Sequence, residues 1–335
     1  MHEYTFIRMH RTDTWPPSWL VSTNRVWEDN EFGRWGSLWE NNFHTLLFPI
    51  PPTIPYFSPS TTLGGAPVTS KQKPTTMPFT LTNKTALVTG GGSGIGESIC
   101  RAFARAGARV FLLDINKDKA RTVVEEINAA GGQAEAVTGD VQKQAEMIRI
   151  CEEIVAKAGR LDILVNNAGI AHVGNLEGTS EEDLDRIYSV NIKGVYNGMR
   201  AAIPHMKRQK GGVILNMGSI ASSIGLPDRF AYSMAKGAVE VMTYTVARDY
   251  IEYNIRCNSI APARVHTPFV DGFLAANYPG KEKEMFERLS KTQPIGRMAR
   301  PEEVAYLAQF LCSDEAAFIT GTNYPIDGGF LKLNT

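Results

Sequence analysis

The sequence has few cysteines, no net charge and no long apolar run, and each lack excludes a class of protein. Its four cysteines among 335 residues lie far apart without a Cys-x-x-Cys pair, which argues against a disulfide framework or a zinc site. Thirty-five basic residues balance thirty-five acidic ones, so bulk charge predicts no nucleic-acid or membrane-surface partner. No uncharged stretch reaches the roughly 18–20 residues of a membrane helix, and no secretory signal is evident. We expect a cytoplasmic protein without a catalytic metal.

Composition is uneven along the chain. All five tryptophans lie in the first forty residues, and ten of the eighteen prolines precede residue 80. Residues 48–78 are rich in Pro, Ser and Thr without helical or strand periodicity, as in a linker or coil. We divide the chain into a Trp- and Pro-rich extension, residues 1–76, and an α/β domain, residues 77–335. The extension is expected to be poorly ordered or to precede the true start at Met77, and an aromatic arm that binds a partner is the alternative.

From residue 84 onward, short apolar segments alternate with segments of helical periodicity. The predicted strands are 85–89, 109–115, 134–141, 161–166, 213–217, 255–260 and 323–326. The predicted helices are 95–106, 117–130, a helix that ends near 158, and 183–208, 232–250 and 301–312. Strands that alternate with helices pair in parallel through right-handed crossovers, and helices on both faces explain the continuous apolar strands. The pattern predicts an α/β fold with a doubly wound parallel sheet.

A glycine-rich segment, residues 89–96, joins the first strand to the first helix. Gly90, Gly94 and Gly96 have the spacing GxxxGxG instead of the commoner GxGxxG. Glycines permit a tight turn and let backbone N–H groups approach a pyrophosphate at a helix N-terminus. Asp114 ends the second strand, where a carboxylate can accept hydrogen bonds from ribose hydroxyls and would repel a 2′-phosphate. The two features together predict a dinucleotide site that takes NAD in preference to NADP.

A second group of polar residues follows later in the chain. Tyr232 and Lys236 lie four residues apart on a predicted helix, so they share one face, and no other of the eleven tyrosines has this spacing to a lysine. Ser219 closes the fifth strand thirteen residues before Tyr232, and Asn191 precedes that strand. The fourth strand closes with Asn-Asn-Ala-Gly at 166–169. This ordered set predicts one reaction geometry.

Taken together, these elements resemble the short-chain dehydrogenase/reductase family. The resemblance covers about residues 80–331. Its motifs are the glycine loop, Asp114, Asp140-Val141, the Asn-Asn-Ala-Gly segment, Asn191, Ser219, Tyr232-x-x-x-Lys236, Pro262 with Thr267-Pro268, and Asp327-Gly328-Gly329. It implies a single Rossmann-type domain with seven parallel strands, oxidoreductase activity on CH–OH groups, and a homotetramer or a dimer. Ala263 departs from the family's glycine, and its Cβ is expected to reshape the floor beside the nicotinamide.

The resemblance also implies roles for four residues. A free tyrosine has a pKa of about 10, and we expect the Lys236 ammonium and a positive nicotinamide ring to lower the pKa of Tyr232. Tyr232 would then act as general acid and base. Ser219 would orient the substrate oxygen, Lys236 would bind the nicotinamide ribose, and Asn191 would hold a water that joins Lys236 to solvent. Singly, each residue also fits a structural role, such as a turn cap, a helix-bend hydrogen bond or a packing aromatic.

The family's cofactor contacts carry over position by position. They are Gly90, Ser93, Ile95 and Gly96 around the pyrophosphate and ribose, Asp114 at the adenosine ribose, Asp140 and Val141 beside the adenine, Asn167 and Gly169 on the path to the ribose, Tyr232 and Lys236 at the reaction centre, and Val265 and Thr267 at the nicotinamide carboxamide.

The substrate is suggested by three basic residues and a lid. Residues 269–292 fall where the family has a mobile lid, with helical spacing over 281–289. Arg229, Arg264 and His266 lie near the expected mouth, and arginine is suited to a carboxylate. The Arg-Phe-Ala-Tyr run that ends at Tyr232 is similar to that of the NAD-preferring 2-keto-3-deoxy-fuconate dehydrogenase branch. We expect a sugar, a polyol or a hydroxylated acid, and solvated or interfacial charges are the alternative.

Other functions are compatible with the sequence. A 3-oxoacyl-[acyl-carrier-protein] reductase would share the site but would normally prefer NADP, which Asp114 disfavours. A dinucleotide-sensing regulator or scaffold could use the fold without turnover, but it need not keep Ser219, Tyr232 and Lys236 together. His172, after the Asn-Asn-Ala-Gly segment, is expected either to face the substrate or to lie in solvent. The favoured hypothesis is an NAD-dependent oxidoreductase that acts on a small molecule.

Overall fold

The computed structural model of the chain describes residues 78–333. The boundary at Met77 and the expectations for residues 1–76 lie outside this range. None of the helices that the structure describes combines the length and the apolar character needed to cross a membrane.

The centre of the fold is a sheet of seven strands. They are β1 (Thr85–Thr89), β2 (Arg109–Asp114), β3 (Gln133–Thr138), β4 (Ile163–Asn166), β5 (Gly212–Met217), β6 (Ile255–Pro262) and β7 (Asn323–Ile326). Every pair in the sheet is parallel, and the order across it is β3-β2-β1-β4-β5-β6-β7. The predicted doubly wound parallel sheet is therefore confirmed. Because the order reverses between β1 and β4, a crevice forms there beyond the carboxyl ends of the strands.

Helices cover both faces of the sheet. They are α1 (Gly94–Arg105), α2 (Lys117–Ala129), α3 (Gln144–Ala158), α4 (Glu181–Ile187), α5 (Gly194–Arg208), α6 (Phe230–Asp249), α7 (Pro268–Asn277), α8 (Glu282–Lys291) and α9 (Pro301–Cys312). One apolar cluster packs α1, α2 and α9 against the sheet, and another packs α3, α5 and α6. Successive strand residues point to opposite faces. Val88 therefore belongs to the first cluster and Leu87 to the second.

The long helical region predicted over residues 183–208 is confirmed, but it is not one regular α-helix. The structure divides this segment into α4, a π-helical turn at Tyr188–Lys193, and α5. The π turn contains Asn191, whose side chain accepts a hydrogen bond from Ile170 N at 2.9 Å and donates one to Ile170 O at 2.8 Å. These two bonds anchor the helix to the loop after β4, and π turns of this kind often occur at functional sites.

Two other boundaries differ from the prediction. β3 ends at Thr138 instead of residue 141, because the Asp140 carboxylate accepts a hydrogen bond from Gln142 N at 3.0 Å and turns the chain. The lid contains α7 in addition to the helix predicted over 281–289. Pro268 at the first position of α7 is the sequence signal for its start.

Candidate active site

The glycine loop between β1 and α1 is too tightly packed for side chains. A Cβ at Gly96 would lie 2.1 Å from the carbonyl oxygen of Gly90, and Gly90 has a φ of +66°. Asn167 Nδ2 braces the loop by donating to the carbonyl oxygens of Thr89 and Gly90 at 3.0 and 3.1 Å. Ser93 begins α1 without a capping bond from its side chain. The first N–H groups of α1 therefore have no partner in the Ser93 side chain, an arrangement that fits a phosphate.

Asp114 stands at the end of β2 beside this loop. One carboxylate oxygen accepts a hydrogen bond from Gly92 N and the other from Asn116 N, both at 2.9 Å. These bonds fix the carboxylate while each oxygen keeps a lone pair for a further donor. The charge is partly exposed. It is therefore placed to accept hydrogen bonds from a diol and to repel a phosphate.

The remaining predicted cofactor residues lie along the same edge of the sheet, where β3, β4 and β6 end. Asp140 is held in its turn by Gln142, and the carbonyl of the buried Val141 accepts a bond from Asn197 Nδ2 at 2.8 Å. A Cβ at Gly94 would lie 3.3 Å from Thr267 Cγ2, so the loop after β6 meets the glycine loop.

Three other predicted positions have clear packing roles. Ile95 packs against the first apolar cluster, and Val265 is buried within it. Gly169 lies against Asn191, because a Cβ there would be 3.2 Å from Asn191 Oδ1. Ala263 has no positive φ, and its N–H donates to Ile326 O at 3.1 Å, so the backbone accommodates a side chain at this position.

The predicted catalytic residues come together where α6 crosses the end of β5. Lys236 Nζ donates a hydrogen bond to the carbonyl oxygen of Met217 at 2.7 Å and lies 5.7 Å from the centre of the Tyr232 ring. Ser219 follows β5, is 8 % exposed, and its Oγ accepts a bond from Ala221 N at 3.2 Å. The sequence did not indicate the role of Met217, because a main-chain acceptor carries no residue-type signal.

The lowered pKa predicted for Tyr232 is not found in the chain alone, and the predicted effect of a bound NAD⁺ stays a prediction. Burial raises the pKa of Tyr232, while a hydrogen-bonding interaction with Ser219 and the charge of Arg229 act in the opposite direction. The Lys236 ammonium donates to Met217 O and lies 5.7 Å from the centre of the Tyr232 ring. Burial also lowers the pKa of Lys236 itself to about 8. The phenol and the amine are thus both shifted towards their neutral forms.

Asn191 is buried, and both polar atoms of its side chain are engaged with Ile170. Each of these two atoms keeps one further hydrogen-bonding position, so the water predicted at Asn191 stays a prediction, while the side chain holds the π turn in place.

Two of the predicted substrate residues, Arg229 and Arg264, lie close together. The Arg229 guanidinium lies 5.9 Å from the centre of the Phe273 ring, and Arg264 Nε donates to Thr292 Oγ1 at 3.0 Å. The pKa of Arg264 is lowered by burial and by the charge of Arg229, with an opposing effect of Tyr278. Neither guanidinium forms an ion pair with a carboxylate of residues 78–333. Guanidiniums without a carboxylate partner in the described residues are suited to binding an anion.

The two histidines considered in the sequence analysis, His266 and His172, both contact other side chains of the protein. His266 Nε2 is 2.9 Å from Asp271 Oδ1, and its ring meets the Phe286 ring edge-to-face at 4.8 Å, so it joins α7 to α8. The side chain of His172 is 9 % exposed and contacts Thr179. The expectation that His172 lies in solvent is therefore wrong, and its contact with the substrate stays a prediction. Over the described range, no group of three or more His, Cys, Asp or Glu side chains could hold a metal ion.

Comparison with known proteins gives consistent matches. A family model described as enoyl-(acyl carrier protein) reductase matches residues 90–331. An uncharacterized oxidoreductase of Thermotoga maritima is 42 % identical over 246 residues, which are 73 % of this chain and 96 % of that protein. A short-chain type dehydrogenase/reductase from Mycobacterium marinum has a TM-score of 0.71 at 31 % identity, covering 76 % of this chain and 98 % of its own. The 3-ketoacyl-(acyl-carrier-protein) reductase from Brucella melitensis, solved with NADH, has a TM-score of 0.68 at 36 % identity, covering 75 % and 99 %.

The buried Lys236 gives a prediction for stability. We expect Lys236→Met to raise the free energy of unfolding at pH 7 by roughly 1–3 kcal/mol, because an ammonium with a depressed pKa opposes folding. The pKa of Lys236 is about 8 in the folded chain against an ordinary 10.5. Between these two pH values, Lys236 keeps its proton in the unfolded chain but loses it in the folded chain. The free energy of unfolding of the wild type therefore rises with pH over this range, and its difference from that of Lys236→Met becomes smaller. Urea unfolding from pH 7 to pH 10 measures this.

The matched control is Lys117→Met, at an exposed lysine in α2, which should change stability by no more than about 0.5 kcal/mol. A Lys236→Met protein that is less stable than the wild type at pH 7, or whose gain in stability does not depend on pH, would contradict a depressed pKa of Lys236 in the folded chain.

Proposed function

This chain belongs to the short-chain dehydrogenase/reductase family, and from that premise we propose that it transfers a hydride between NAD and a secondary alcohol or ketone of a sugar, a polyol or a hydroxylated acid. That it is an oxidoreductase of alcohols or ketones with a nicotinamide dinucleotide follows from the family. The observation that carries the proposal is the convergence of Ser219, Tyr232 and Lys236 at the end of β5, with Arg229 near enough for its charge to act on Tyr232.

The proposed chemistry divides between the cofactor and the chain. When bound, the nicotinamide supplies the donor or acceptor of the hydride. Tyr232 exchanges the hydroxyl proton with the substrate oxygen. Ser219 Oγ already accepts from Ala221 N, which leaves its O–H to donate to that oxygen. Because burial raises the pKa of Tyr232, the phenol holds its proton at neutral pH, so ketone reduction is favoured there and alcohol oxidation accelerates as the pH rises.

The cofactor residues fit a dinucleotide and favour NAD. Gly90 and Gly96 leave no room for side chains where the loop meets α1, and the N-terminus of α1 offers N–H groups to a pyrophosphate. Asp114 would take the adenosine ribose hydroxyls and oppose a 2′-phosphate. Asp140, Val141, Val265 and Thr267 would complete the site, and Asn167 would keep the loop in shape.

The absorbance of reduced nicotinamide tests the reaction and the cofactor together. We expect turnover with NAD on a panel of polyols, sugars and hydroxy acids, an oxidation rate that rises from pH 7 to pH 10, and a loss of at least about 100-fold in Tyr232→Phe. Asp114→Ser should lower the ratio of kcat/KM with NAD to kcat/KM with NADP. Tyr306→Phe, at an exposed tyrosine of α9, is the control that should keep activity. Turnover with NADP alone, or activity that survives Tyr232→Phe, would contradict the proposal.

For the substrate, we propose that Arg229 and Arg264 bind a carboxylate. Their guanidiniums are close, partly buried and without a carboxylate partner in the described part of the chain, and Arg229 stands three residues before Tyr232. His266 is proposed to act on the substrate only through the lid, since Asp271 and Phe286 hold its ring. This geometry favours hydroxylated or sugar acids over neutral polyols.

Paired substrates test this choice. We expect Arg229→Gln and Arg264→Gln each to lower kcat/KM for gluconate by about 10- to 100-fold, as for a lost hydrogen bond to a charged group, and to change kcat/KM for neutral glucitol little. Arg288→Gln, at an exposed arginine of α8, is the matched control. Equal losses on the acid and the neutral polyol would contradict a carboxylate site.

A second candidate function is reduction of a 3-oxoacyl thioester. It is favoured by the Brucella melitensis reductase, which shares 36 % identity with this chain and was solved with NADH. Faster reduction of acetoacetyl thioesters than of any sugar-derived ketone in the same assay would favour thioester reduction over the proposed function. Arg229 and Arg264 argue for the acid, because a neutral thioester leaves both charges unpaired.

We also propose that the protein forms a homotetramer or a dimer in which one face of α6 is a contact surface. This face carries exposed apolar side chains at helical spacing around Gly237, where a Cβ would meet nothing within 4 Å. They are Phe230, Met234, Val241 and Tyr244. A glycine at the centre of an apolar stripe allows a second helix to approach closely, and an uncovered stripe of this kind is typical of an interface.

Light scattering on the eluted protein tests the assembly. We expect a multiple of the chain mass for the wild type and a fall to at most half of it for Val241→Asp. Phe318→Asp, at a fully exposed residue outside this face, should leave the mass unchanged. A monomeric wild type would contradict the proposal.

A further inference from the structure

A buried histidine holds the loop after β4, and no step above uses it. His172 Nε2 lies 3.3 Å from Thr179 Oγ1, and Nδ1 lies 3.7 Å from Asp183 Oδ1. Asp183 is itself held by Arg186, whose Nη2 donates to the same oxygen at 2.7 Å. Thr179 Oγ1 also donates to Asn175 O at 2.7 Å. The imidazole is therefore fixed from two sides within its loop.

The His172 ring lies close to the backbone of Gly174. A Cβ at Gly174 would lie 2.6 Å from His172 Nε2 and 3.0 Å from the carbonyl oxygen of Gly178. Real Cβ contacts are not found at the first of these distances, so only glycine allows the ring and this backbone to approach so closely. The His172 ring and the Gly174 backbone are therefore packed closely together.

The Gly174 backbone is paired with the segment that begins α6. Gly174 N donates to Asp228 O, and Phe230 N donates to Gly174 O, both at 3.0 Å. The two bonds form a parallel bridge across Arg229. Asp228 has a left-handed backbone with a φ of +55°, which is uncommon for a non-glycine residue, although Asp adopts it more readily than most where the neighbouring backbone is constrained. The bridge from Gly174 supplies part of that constraint.

This segment places two residues of the proposed site. Arg229 is the residue before the first residue of α6, and Tyr232 follows three positions later, within about one helical turn. The charged and titratable groups that act on Tyr232 are Ser219 and Arg229, with the Lys236 ammonium over the ring. A displacement of the 228–230 segment would therefore move Arg229 and Tyr232 relative to Ser219, which follows β5, and relative to the Lys236 ammonium, which is bonded to Met217 O.

We propose that His172 is a positioning residue for the reaction: acting through Gly174, it fixes the start of α6 and with it the placement of Arg229 and Tyr232. The inference rests on the proposed function, since a reaction at Tyr232 is what the placement serves. This role requires no contact of His172 with the substrate or the reacting atoms.

The first experiment compares His172→Ala, His172→Gln and the wild type. Misplacement of reacting groups by a distant change is costly, so kcat/KM of His172→Ala should fall by about 10- to 100-fold. The charge of Arg229 lowers the pKa of Tyr232. Its displacement should therefore move the midpoint of the alcohol-oxidation pH profile to higher pH. His172→Gln can still form a hydrogen bond with Thr179, so it should keep most of the wild-type kcat/KM and a pH midpoint close to that of the wild type. His205→Ala, at a histidine of α5 that is also 9 % exposed, should leave the midpoint unchanged.

The second experiment is a double-mutant cycle with Gly174→Ala. The added methyl group should lower kcat/KM in the wild-type background and cost less in the His172→Ala background, because the contact with Nε2 is gone while that with Gly178 O remains. Strictly additive losses, or a wild-type pH midpoint in His172→Ala, would overturn the positioning role. If His172→Ala does not fold, the midpoints of His172→Gln and Gly174→Ala decide in its place. Turnover that survives Tyr232→Phe contradicts the proposed function instead, whatever the His172 variants do.

Discussion

The hydrogen bond from Lys236 Nζ to the carbonyl oxygen of Met217 ties the helix that carries Tyr232 to the strand that ends at Ser219. The bond also explains the electrostatics of the site, since it directs the ammonium away from the phenol hydroxyl and into a buried position. Burial then lowers the pKa of Lys236 and raises that of Tyr232, so the fold shifts both groups towards their neutral forms at a cost in stability.

The rest of the site follows from the parallel sheet. Because all strands run in one direction, the segments after β1 to β6 meet at one edge, and each contributes a polar or glycine-rich turn there. The loops at this edge brace one another. Asn167 holds the glycine loop, Asn191 holds the loop after β4, and Gly174 holds the start of α6. A site assembled from loops thus gains rigidity from main-chain hydrogen bonds between them.

Much of this could be predicted from the sequence, and the failures have physical causes. Strand periodicity and crossover rules predicted the sheet, and the glycine spacing predicted the loop, because these depend on local patterns. The π turn at Asn191 and the direction of Lys236 could not be predicted, since each is set by a main-chain partner distant in sequence. The prediction that His172 is solvated failed for the same reason, because nothing in the sequence spacing indicates its contacts with Thr179 and Asp183. Arg229 and Arg264 were identified by residue type, and their proximity emerged only in the fold.

The central claim is that Tyr232 is a buried phenol whose proton is controlled by its neighbours, and its ionisation can be measured directly. The difference in ultraviolet tyrosinate absorbance between the wild type and Tyr232→Phe, followed as the pH is raised, isolates this one residue. The account predicts a midpoint above 10 for the protein alone, since burial raises the pKa from 10.0, and a lower midpoint when NAD⁺ adds its positive ring. A midpoint below 10 for the protein alone, or one that NAD⁺ leaves unchanged, would contradict it.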